Sequence, residues 1–392
     1  MKIVRNSLIL FILIFCISFI ISKPYVMEYF TNKYDRVLSG PPYDIASEAA
    51  KELHKSLSVC DLHCDALMWG RDLLEKNESG HVDIPRMIEG NIALQVFSVP
   101  TKVPWKVSQW GTNPDQFNTL NLAAIFGGWP LSTWFNLTER ALYNAKELND
   151  FAAKSSGQFM VIRNSKELDE FLKKRISNKN LTAGILAIEG LHSLEGNLDA
   201  LDEHFDAGYR IMGLVHQFDN RIGGSSYGME RGGLTEFGFQ VVKKMQEKDM
   251  IVDLAHASDA LIKDVLKITT NPVIVTHTGV KGVCDRRRNI SDEQIVAIAK
   301  TGGLIGIGFM RGAVCGITAG DIAKSIRYVA DLVGLEYVSL GSDFDGDNLN
   351  FDATGMVQVT GALMKENFSN EEIGLIMGGN IIRLLRSSLP KN

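Results

Sequence analysis

The sequence predicts an α/β fold, a (β/α)₈ or TIM barrel, because short apolar runs alternate with amphipathic helical stretches. The apolar runs are continuous rather than alternating, which is typical of strands buried on both faces of a parallel sheet. Eight such units describe a barrel, which typically takes about 250 residues. The eight predicted strands are Leu57–Cys60, Ile92–Val99, Gly184–Ile188, Tyr209–Val215, Met250–Ala255, Pro272–Thr276, Leu304–Phe309 and Tyr337–Ser342.

The N-terminal residues 1–22 have a different character. Lys2 and Arg5 precede an uncharged apolar run from Leu8 to Ile21, which is typical of an export signal. The run is short for a membrane span, and bulky residues occupy the positions where a cleavage site needs small ones. We therefore expect a signal peptide or an uncleaved membrane anchor. The rest of the chain would lie outside the cytoplasm, membrane-anchored, or secreted or periplasmic if the segment is cleaved. The alternative is a buried helix of the globular domain.

Residues 23–50 are predicted to form a connector that leads into a helix, and residues 51–392 the barrel. The connector is polar and contains Pro41 and Pro42, whereas the residues from Ile45 to His54 have an amphipathic pattern.

A long insertion separates the second and third predicted strands, from Pro100 to about Asn180. Two helices, Leu137–Lys154 and Lys166–Lys174, and an extra strand at Phe159–Arg163 are predicted within it. It contains four of the five tryptophans, which either line a pocket or form a small core of the insertion. They are Trp105, Trp110, Trp129 and Trp134.

Later helices are marked by their capping residues. Ser258 and Ser291 are suitable N-caps, and Gly208, Gly302 and Gly334 are suitable C-terminal stops. The predicted helices are Leu201–Ala207, Gln240–Lys248, Ser258–Ile268, Asp292–Lys300 and Ala319–Val333.

Composition excludes several classes of protein. The formal net charge of −5 gives no electrostatic case for binding nucleic acid. The five cysteines include no C-x-x-C pair, which argues against a thiolate zinc site. In an exported protein Cys284 and Cys315 could pair, but the sequence pattern alone does not select that pairing.

Four of the eight histidines follow a predicted strand, and acidic residues join them. The carboxyl ends of parallel barrel strands all lie on one face, so these side chains are expected to meet. Imidazole and carboxylate are ligands of zinc and similar metals, and two ions need a bridging ligand. We predict that one metal is held by His63 and Asp65 and a second by His256 and His277, with Glu189 bridging. A single metal, or hydrogen-bonded polar residues without any metal, is the alternative.

The remaining residues on this face have candidate roles in peptide or amide hydrolysis. A carboxylate is needed to carry a proton from the attacking water to the leaving amine, and Asp343 suits this role better than Asp345 because it comes first after the strand. His216 could donate to a developing oxyanion. One arginine of the triplet Arg286–Arg288 could pair with a substrate carboxylate, and the spacing does not distinguish among the three.

Several motifs in this order resemble the membrane dipeptidase (renal dipeptidase) family of zinc peptidases. The resemblance extends from about Asp61 to Arg383. It is carried by Asp61-Leu62-His63-Cys64-Asp65, Ile188-Glu189-Gly190-Leu191-His192-Ser193, Leu214-Val215-His216, Val252-Asp253-Leu254-Ala255-His256-Ala257-Ser258, Pro272-Val273-Ile274-Val275-Thr276-His277-Thr278, Arg287-Arg288-Asn289 and Gly341-Ser342-Asp343-Phe344-Asp345-Gly346.

The resemblance implies a binuclear zinc barrel of the amidohydrolase type that hydrolyses dipeptides with a water bound between the metals. It implies His63, Asp65, Glu189, His256 and His277 as the zinc ligands, and Asp343 as the proton shuttle. His216 and Arg288 are implied to contact the substrate, with Arg288 binding its carboxylate. A Cys284–Cys315 disulfide and a homodimer are also implied.

This chain departs from the family pattern at Leu62, where many members have glycine. The C-terminal lipid-anchor signal of the animal enzymes is also missing, so the resemblance leaves only the N-terminal segment for membrane attachment. Two other functions remain as alternatives: an amidohydrolase acting on a cyclic amide or lactam, and a non-catalytic carboxylate-binding barrel.

Overall fold

The computed structural model describes residues 21–41, 43 and 47–391. Its nine strands are β1 (Val59–Cys64), β2 (Ile92–Pro100), β3 (Phe159–Val161), β4 (Thr182–Glu189), β5 (Tyr209–Gly213), β6 (Ile251–Asp253), β7 (Ile274–Thr278), β8 (Leu304–Ile307) and β9 (Val338–Leu340). All neighbouring strands pair in parallel, in the order β1-β2-β4-β5-β6-β7-β8-β9. Strand β3 pairs with β4 outside this series.

Fifteen α-helices are described, the first over residues 21–34 (α1). The others are α2 (Glu48–Ser56), α3 (Ile84–Glu89), α4 (Leu120–Gly127), α5 (Leu137–Lys154), α6 (Ser165–Ser177), α7 (Ala200–Ala207), α8 (Glu236–Glu247), α9 (Asp259–Ile268), α10 (Asp292–Lys300), α11 (Arg311–Val314), α12 (Ala319–Val333), α13 (Val357–Lys365), α14 (Asn370–Gly374) and α15 (Asn380–Ser388).

The barrel closes between its first and last strands through a buried aspartate. Asp61 in β1 accepts hydrogen bonds from the backbone N–H of Ser342 at 2.7 Å and from the Ser342 hydroxyl at 2.8 Å. The N–H of Asp65 donates to the carbonyl of Phe344 at 2.8 Å. Because every backbone group in a dry interior needs a partner, these bonds complete the ladder where β9 is short. The predicted TIM barrel is confirmed.

Two strands extend further toward their carboxyl ends than the sequence predicts. Strand β1 continues to Cys64, so Asp61 and His63 lie within it rather than after it, and β7 likewise includes His277. The apolar runs end earlier because a polar residue interrupts the hydrophobic pattern without ending the backbone ladder.

Helix boundaries follow their caps closely. Ser258 accepts from the N–H of Leu261, and Ser291 forms a capping box with Gln294. Gly208 ends α7 with φ of 110°, which only glycine adopts without strain. The two helices and the strand predicted inside the insertion are observed as α5, α6 and β3.

The N-terminal segment contains more structure than expected. Residues 21–34 are helical, although the sequence assigns the chain from residue 23 onward to a polar connector. The predicted leader, residues 1–22, lies outside the described residues except for its last two. Within the described ranges, no helix has both the length and the apolar character needed to cross a membrane.

Candidate active site

The carboxyl ends of the barrel strands bring all of the predicted site residues to one face. His63 lies in β1, and Asp65 follows that strand directly. Glu189 is the last residue of β4, and His277 lies in β7. The loops after β5, β6 and β9 contribute the remaining three: His216, His256 and Asp343.

Glu189 occupies the centre of the cluster. Its Oε1 lies 2.9 Å from Nε2 of His256, 3.3 Å from Nε2 of His277 and 3.7 Å from Nε2 of His63. Its Oε2 lies 3.2 Å from Nε2 of His216. One carboxylate therefore faces four imidazoles, with its two oxygens directed at different histidines.

Two carboxylates complete the site beside His63. Nε2 of His63 lies 3.5 Å from Oδ1 of Asp65 and 3.8 Å from Oδ1 of Asp343. The ring of His63 lies against that of His277, with 3.7 Å between their centroids and 38° between their planes. His63 therefore joins the group around Glu189 to the two aspartates.

Burial and the neighbouring charges shift the pKa values of these groups. Burial alone would raise the pKa of the Glu189 carboxyl, but the imidazoles of His216 and His256 hold it well below its usual range. Burial raises the pKa of Asp343 to about 6, against the opposing effect of His63. Burial also holds the pKa of His256 and His277 well below the usual range. The two imidazoles are therefore neutral at pH 7, the form in which histidine binds metals.

Unpartnered polar atoms show that the site fits a metal. Both ring nitrogens of His63 and Oδ1 of Asp65 are buried and have no hydrogen-bond partner among the described residues. Leaving such an atom unpaired costs about 1–3 kcal/mol, and a cation in the cluster would satisfy Nε2 of His63, which faces Glu189, together with Oδ1 of Asp65. Three groups of these side chains have ligand atoms within 4.8 Å of one another: His63, Glu189 and His277; Glu189, His216 and His256; and His63, Asp65 and Asp343.

Two of the site residues have an unusual backbone conformation. His256 and Asp343 have φ values of 62° and 65°. Non-glycine residues seldom adopt this left-handed conformation, which costs about 1–2 kcal/mol. The fold therefore holds these two side chains in place against a local preference.

A second buried aspartate links two of the strands that carry candidate metal ligands. Asp253, at the end of β6, accepts from the N–H and the hydroxyl of Thr276, at 2.9 and 2.7 Å. It thereby links the strand that leads to His256 with the strand that contains His277. Sequence analysis missed the roles of Asp253 and Asp61, although a lone aspartate within an apolar strand was a usable signal.

Arg288 lies at the edge of the cluster, and the other two arginines of the triplet are exposed. Its Nη2 lies 3.1 Å from Nε2 of His256. Its Nη1 is buried and has no hydrogen-bond partner in the described part of the chain. A partly buried guanidinium with an unused donor is suited to bind an anion.

Asp345 takes no part in the pocket. Its carboxylate pairs with Nη2 of Arg71 at 2.9 Å and lies 3.4 Å from Nδ1 of His81. Burial would raise the pKa of Asp345, but Arg71 and His81 hold it below its usual range. This buried cluster, which also includes Asp35, had no signal in the sequence.

An apolar pocket lies next to the candidate metal ligands. The insertion contributes Val107 and Leu120, and the turn after β1 contributes Met68 and Trp69. None of the insertion's four tryptophans lines it. Two of them support the alternative that the tryptophans form a small core of the insertion. Trp129 is buried, and the indole N–H of Trp134 donates to the backbone carbonyl of Trp129 at 3.0 Å. Trp110, by contrast, is 90% exposed.

The predicted disulfide is confirmed: Cys284 and Cys315 are joined. The bond joins the loop that follows β7, which contains Arg288, to the end of α11, which follows β8. Asn289 fastens the same loop by donating to the carbonyls of Cys284 and Ala313, at 2.7 and 2.9 Å.

Comparison with known proteins decides the family. Residues 47–389 match the family model described as membrane dipeptidase, peptidase family M19. The chain belongs to this family. It is therefore a metal-dependent dipeptidase, a hydrolase that acts on peptide bonds.

Curated relatives agree with this assignment at low identity. An uncharacterized dipeptidase of Schizosaccharomyces pombe is 24% identical over 374 residues, covering 88% of this chain and 84% of that protein. Dipeptidase verJ of Clonostachys rogersoniana is 32% identical over 215 residues, 52% of this chain and 55% of that one. Mouse dipeptidase 3 is 28% identical over 224 residues, 54% and 45% of the two chains.

Solved structures confirm the fold. A metallopeptidase of Rhodobacter sphaeroides, bound to a phosphinate mimic of the dipeptide L-Ala-D-Ala, superposes with a TM-score of 0.72 at 23% identity. The alignment covers 85% of this chain and 99% of that one. A second metallopeptidase, dipeptidase AC, has a TM-score of 0.73 at 22% identity, with the same coverage.

Proposed function

We propose that this dipeptidase holds two zinc ions, with His63 and Asp65 at one ion, His256 and His277 at the other and Glu189 bridging. The observation that carries the proposal is the central carboxylate of Glu189, which faces four imidazoles beside unpartnered atoms of His63 and Asp65. Zinc in such a site lowers the pKa of a bound water and polarises a carbonyl oxygen.

Three side chains of the protein complete the reaction. Arg288 binds the carboxylate of the dipeptide and so sets the scissile carbonyl over the cluster. The Nε2–H of His216, which faces Glu189 at 3.2 Å, donates to the oxyanion that forms on that carbonyl. Asp343 takes the proton of the attacking water and delivers it to the amine as the C–N bond breaks.

Asp343 is preferred to Asp345 for the proton transfer on the grounds of contacts. Asp343 lies 3.8 Å from His63 and lines the pocket, whereas Asp345 is committed to Arg71 and His81. An ion-paired carboxylate is a poor general base, because its low proton affinity disfavours uptake of a proton from the attacking water.

The pocket favours short substrates. It is a cavity of about 110 Å³ that is lined in part by α1. In a dipeptide the free carboxylate, which Arg288 binds, is one residue from the scissile bond. A longer peptide would place an amide there instead, and the buried guanidinium would be left unpaired.

We also propose that the catalytic domain acts outside the cytoplasm, attached through the N-terminal segment or released if that segment is cleaved, and that it forms a homodimer. The disulfide supports the compartment, since disulfides persist in oxidising environments. The dimer rests on the family resemblance alone, and sedimentation of the purified domain tests it.

The decisive experiment is a panel of dipeptides incubated with the zinc-loaded protein, including dipeptides with a D-residue at the carboxyl end. We expect release of free amino acids from dipeptides and none from the matching amidated dipeptides, which lack the carboxylate. Cleavage of a cyclic amide instead, or of nothing, would contradict the proposal. Metal analysis that finds one tightly bound ion per chain would contradict the two-zinc allocation.

A further inference from the structure

One face of helix α1 forms part of the catalytic pocket. Met27, Phe30 and Tyr34 line this pocket together with the metal-facing residues. Their spacing of three and four residues places them on one side of a helix. Phe30 is 8% exposed, whereas Tyr25 and Tyr29 on the other sides are 69% and 52% exposed.

The end of α1 is fastened to the loop that follows β9. Asp35 accepts from Nη1 of Arg71 at 2.6 Å and lies 3.0 Å from Nδ1 of His81, in the buried cluster that includes Asp345. The backbone N–H of Leu38 donates to the carbonyl of Leu349 at 2.8 Å. These contacts join the segment after α1 to the loop that contains Asp343.

The other side of α1 rests on the insertion. Tyr25 and Tyr29 border a surface depression together with Trp105 and Leu122 of the insertion. The ammonium of Lys33 lies 5.8 Å from the centre of the Trp105 ring. Helix α1 is therefore braced by two separate parts of the barrel, which gives its pocket-facing side a defined position.

The layout of the barrel determines which end of a dipeptide meets this side. Arg288 follows β7 and lies against His256, which follows β6. The apolar lining comes from the turn after β1, the insertion after β2 and α1. If Arg288 holds the carboxylate and the scissile carbonyl lies over the cluster, the amino-terminal residue extends toward the apolar side.

We propose that α1 is a specificity wall, in which Met27 and Phe30 bind the side chain of the amino-terminal residue and favour large apolar side chains. This inference rests on the proposed function, because it uses the orientation that Arg288 gives to the dipeptide. Contact with an apolar wall distinguishes side chains by the hydrocarbon surface that they bury.

The test compares leucyl-alanine with glycyl-alanine, which share the carboxyl-terminal residue. In the full-length zinc enzyme we expect kcat/KM to be higher for the leucyl substrate. Phe30→Ala should lower the ratio of the two values about tenfold, the effect of losing part of an apolar contact. Met27→Ala should lower it in the same direction. Glu28→Ala, at an exposed position of the same helix, is the matched control and should leave the ratio as in the wild type.

The outcomes separate this inference from the proposed function. A wild-type enzyme that cleaves neither dipeptide contradicts the proposed function itself. A wild type that cleaves both, with the same ratio in Phe30→Ala and Met27→Ala, overturns the specificity wall alone. An equal loss on both substrates also overturns it, because that pattern indicates a structural role for α1. If Phe30→Ala does not fold, the Met27→Ala ratio decides.

Discussion

Arg288 makes the most direct prediction at the scale of a single residue. Its replacement by alanine removes a charge-assisted, bidentate hydrogen-bonded contact with the substrate carboxylate. Such a contact contributes about 3 kcal/mol to substrate binding. We expect Arg288→Ala to raise KM for dipeptides about a hundredfold in steady-state assays. Arg288→Lys should recover only part of this loss, because an ammonium lacks the planar fork.

The neighbouring Arg287 provides the matched control for this experiment. It is exposed and precedes Arg288 directly, so Arg287→Ala changes the same net charge without altering the proposed contact. An unchanged KM in Arg288→Ala, or an equal rise in both variants, would show that the carboxylate binds elsewhere.

His204 should make the stability of the protein depend on pH. It is fully buried on α7, its Nε2 lies 2.7 Å from the Ser193 hydroxyl, and burial lowers the pKa of this imidazole to about 4. The folded pKa lies below the ordinary value of 6.5, so protonation favours the unfolded chain. The contribution of His204 is complete above pH 6.5 and is lost as pH falls from 6.5 toward 4.

We expect His204→Gln to reduce this dependence, as measured by urea unfolding at pH 7.5 and pH 5. The decrease in unfolding free energy between the two pH values should be about 2 kcal/mol smaller in the variant, from 1.36 kcal/mol per pH unit below 6.5. The other buried histidines are present in both proteins and cancel. The same decrease in both proteins would contradict the prediction.

The sequence predicted that the candidate metal ligands would meet on one face, as they do in the structure, but it did not predict the residues that hold them in place. His63, Glu189 and His277 follow apolar runs, and strand ends on one face are a local signal. Asp35, Arg71 and His81 find their partners far along the chain; the backbone N–H of His81, for example, bonds to Asp345 at a separation of 264 residues. No periodicity connects such positions, so their pairing appears only in the folded structure.

At the scale of elements, a helix could be predicted from the sequence when the contacts that determine its bounds lie within or next to the helix itself. Helices α10 and α12 begin and end where the sequence predicts, because capping boxes and amphipathic spacing lie within the helix itself. Helix α1 was missed although Met27, Phe30 and Tyr34 recur at helical spacing, because the polar residues between them favoured a connector and its packing partners lie in the insertion and after β9.

The loop that contains Arg288 depends on the disulfide at this same scale. The bond between Cys284 and Cys315 closes a loop with a sequence separation of 31 residues. We expect the double variant Cys284→Ser and Cys315→Ser to lower the unfolding free energy by about 4 kcal/mol in chemical denaturation, largely by enlarging the unfolded ensemble.

A reducing agent serves as the control for the disulfide prediction. It should destabilise the wild type and leave the double variant unaffected, since Cys60 and Cys64 are buried free thiols. A double variant as stable as the oxidised wild type would contradict the prediction. So would a double variant that responds to reduction as the wild type does.

For the whole molecule, the barrel is what converts scattered residues into one site. Six of its eight ring strands, β1 and β4 to β7 together with β9, deliver the seven site residues. The sequence could predict this because parallel strands read as continuous apolar runs. It could not predict how the ring closes, because closure relies on the pairing of Asp61 with Ser342 across 281 residues.

The stability of the whole barrel should therefore depend on its metals. Without a cation, Nε2 of His63 and Oδ1 of Asp65 remain buried and unpaired among the described residues, and the candidate ligands that a cation would join lie in or after β1, β4, β6 and β7. We expect a chelator to lower the melting temperature and added zinc to restore it, since a ligand at a hundred times its Kd stabilises the folded state by about 2.7 kcal/mol per site. Arg288→Ala, which keeps every proposed ligand, should show the same shift although its KM is raised. The control is a metal analysis showing that the chelator has removed the metal. If the melting temperature is then unchanged, metal binding does not stabilise the barrel, and the prediction is wrong.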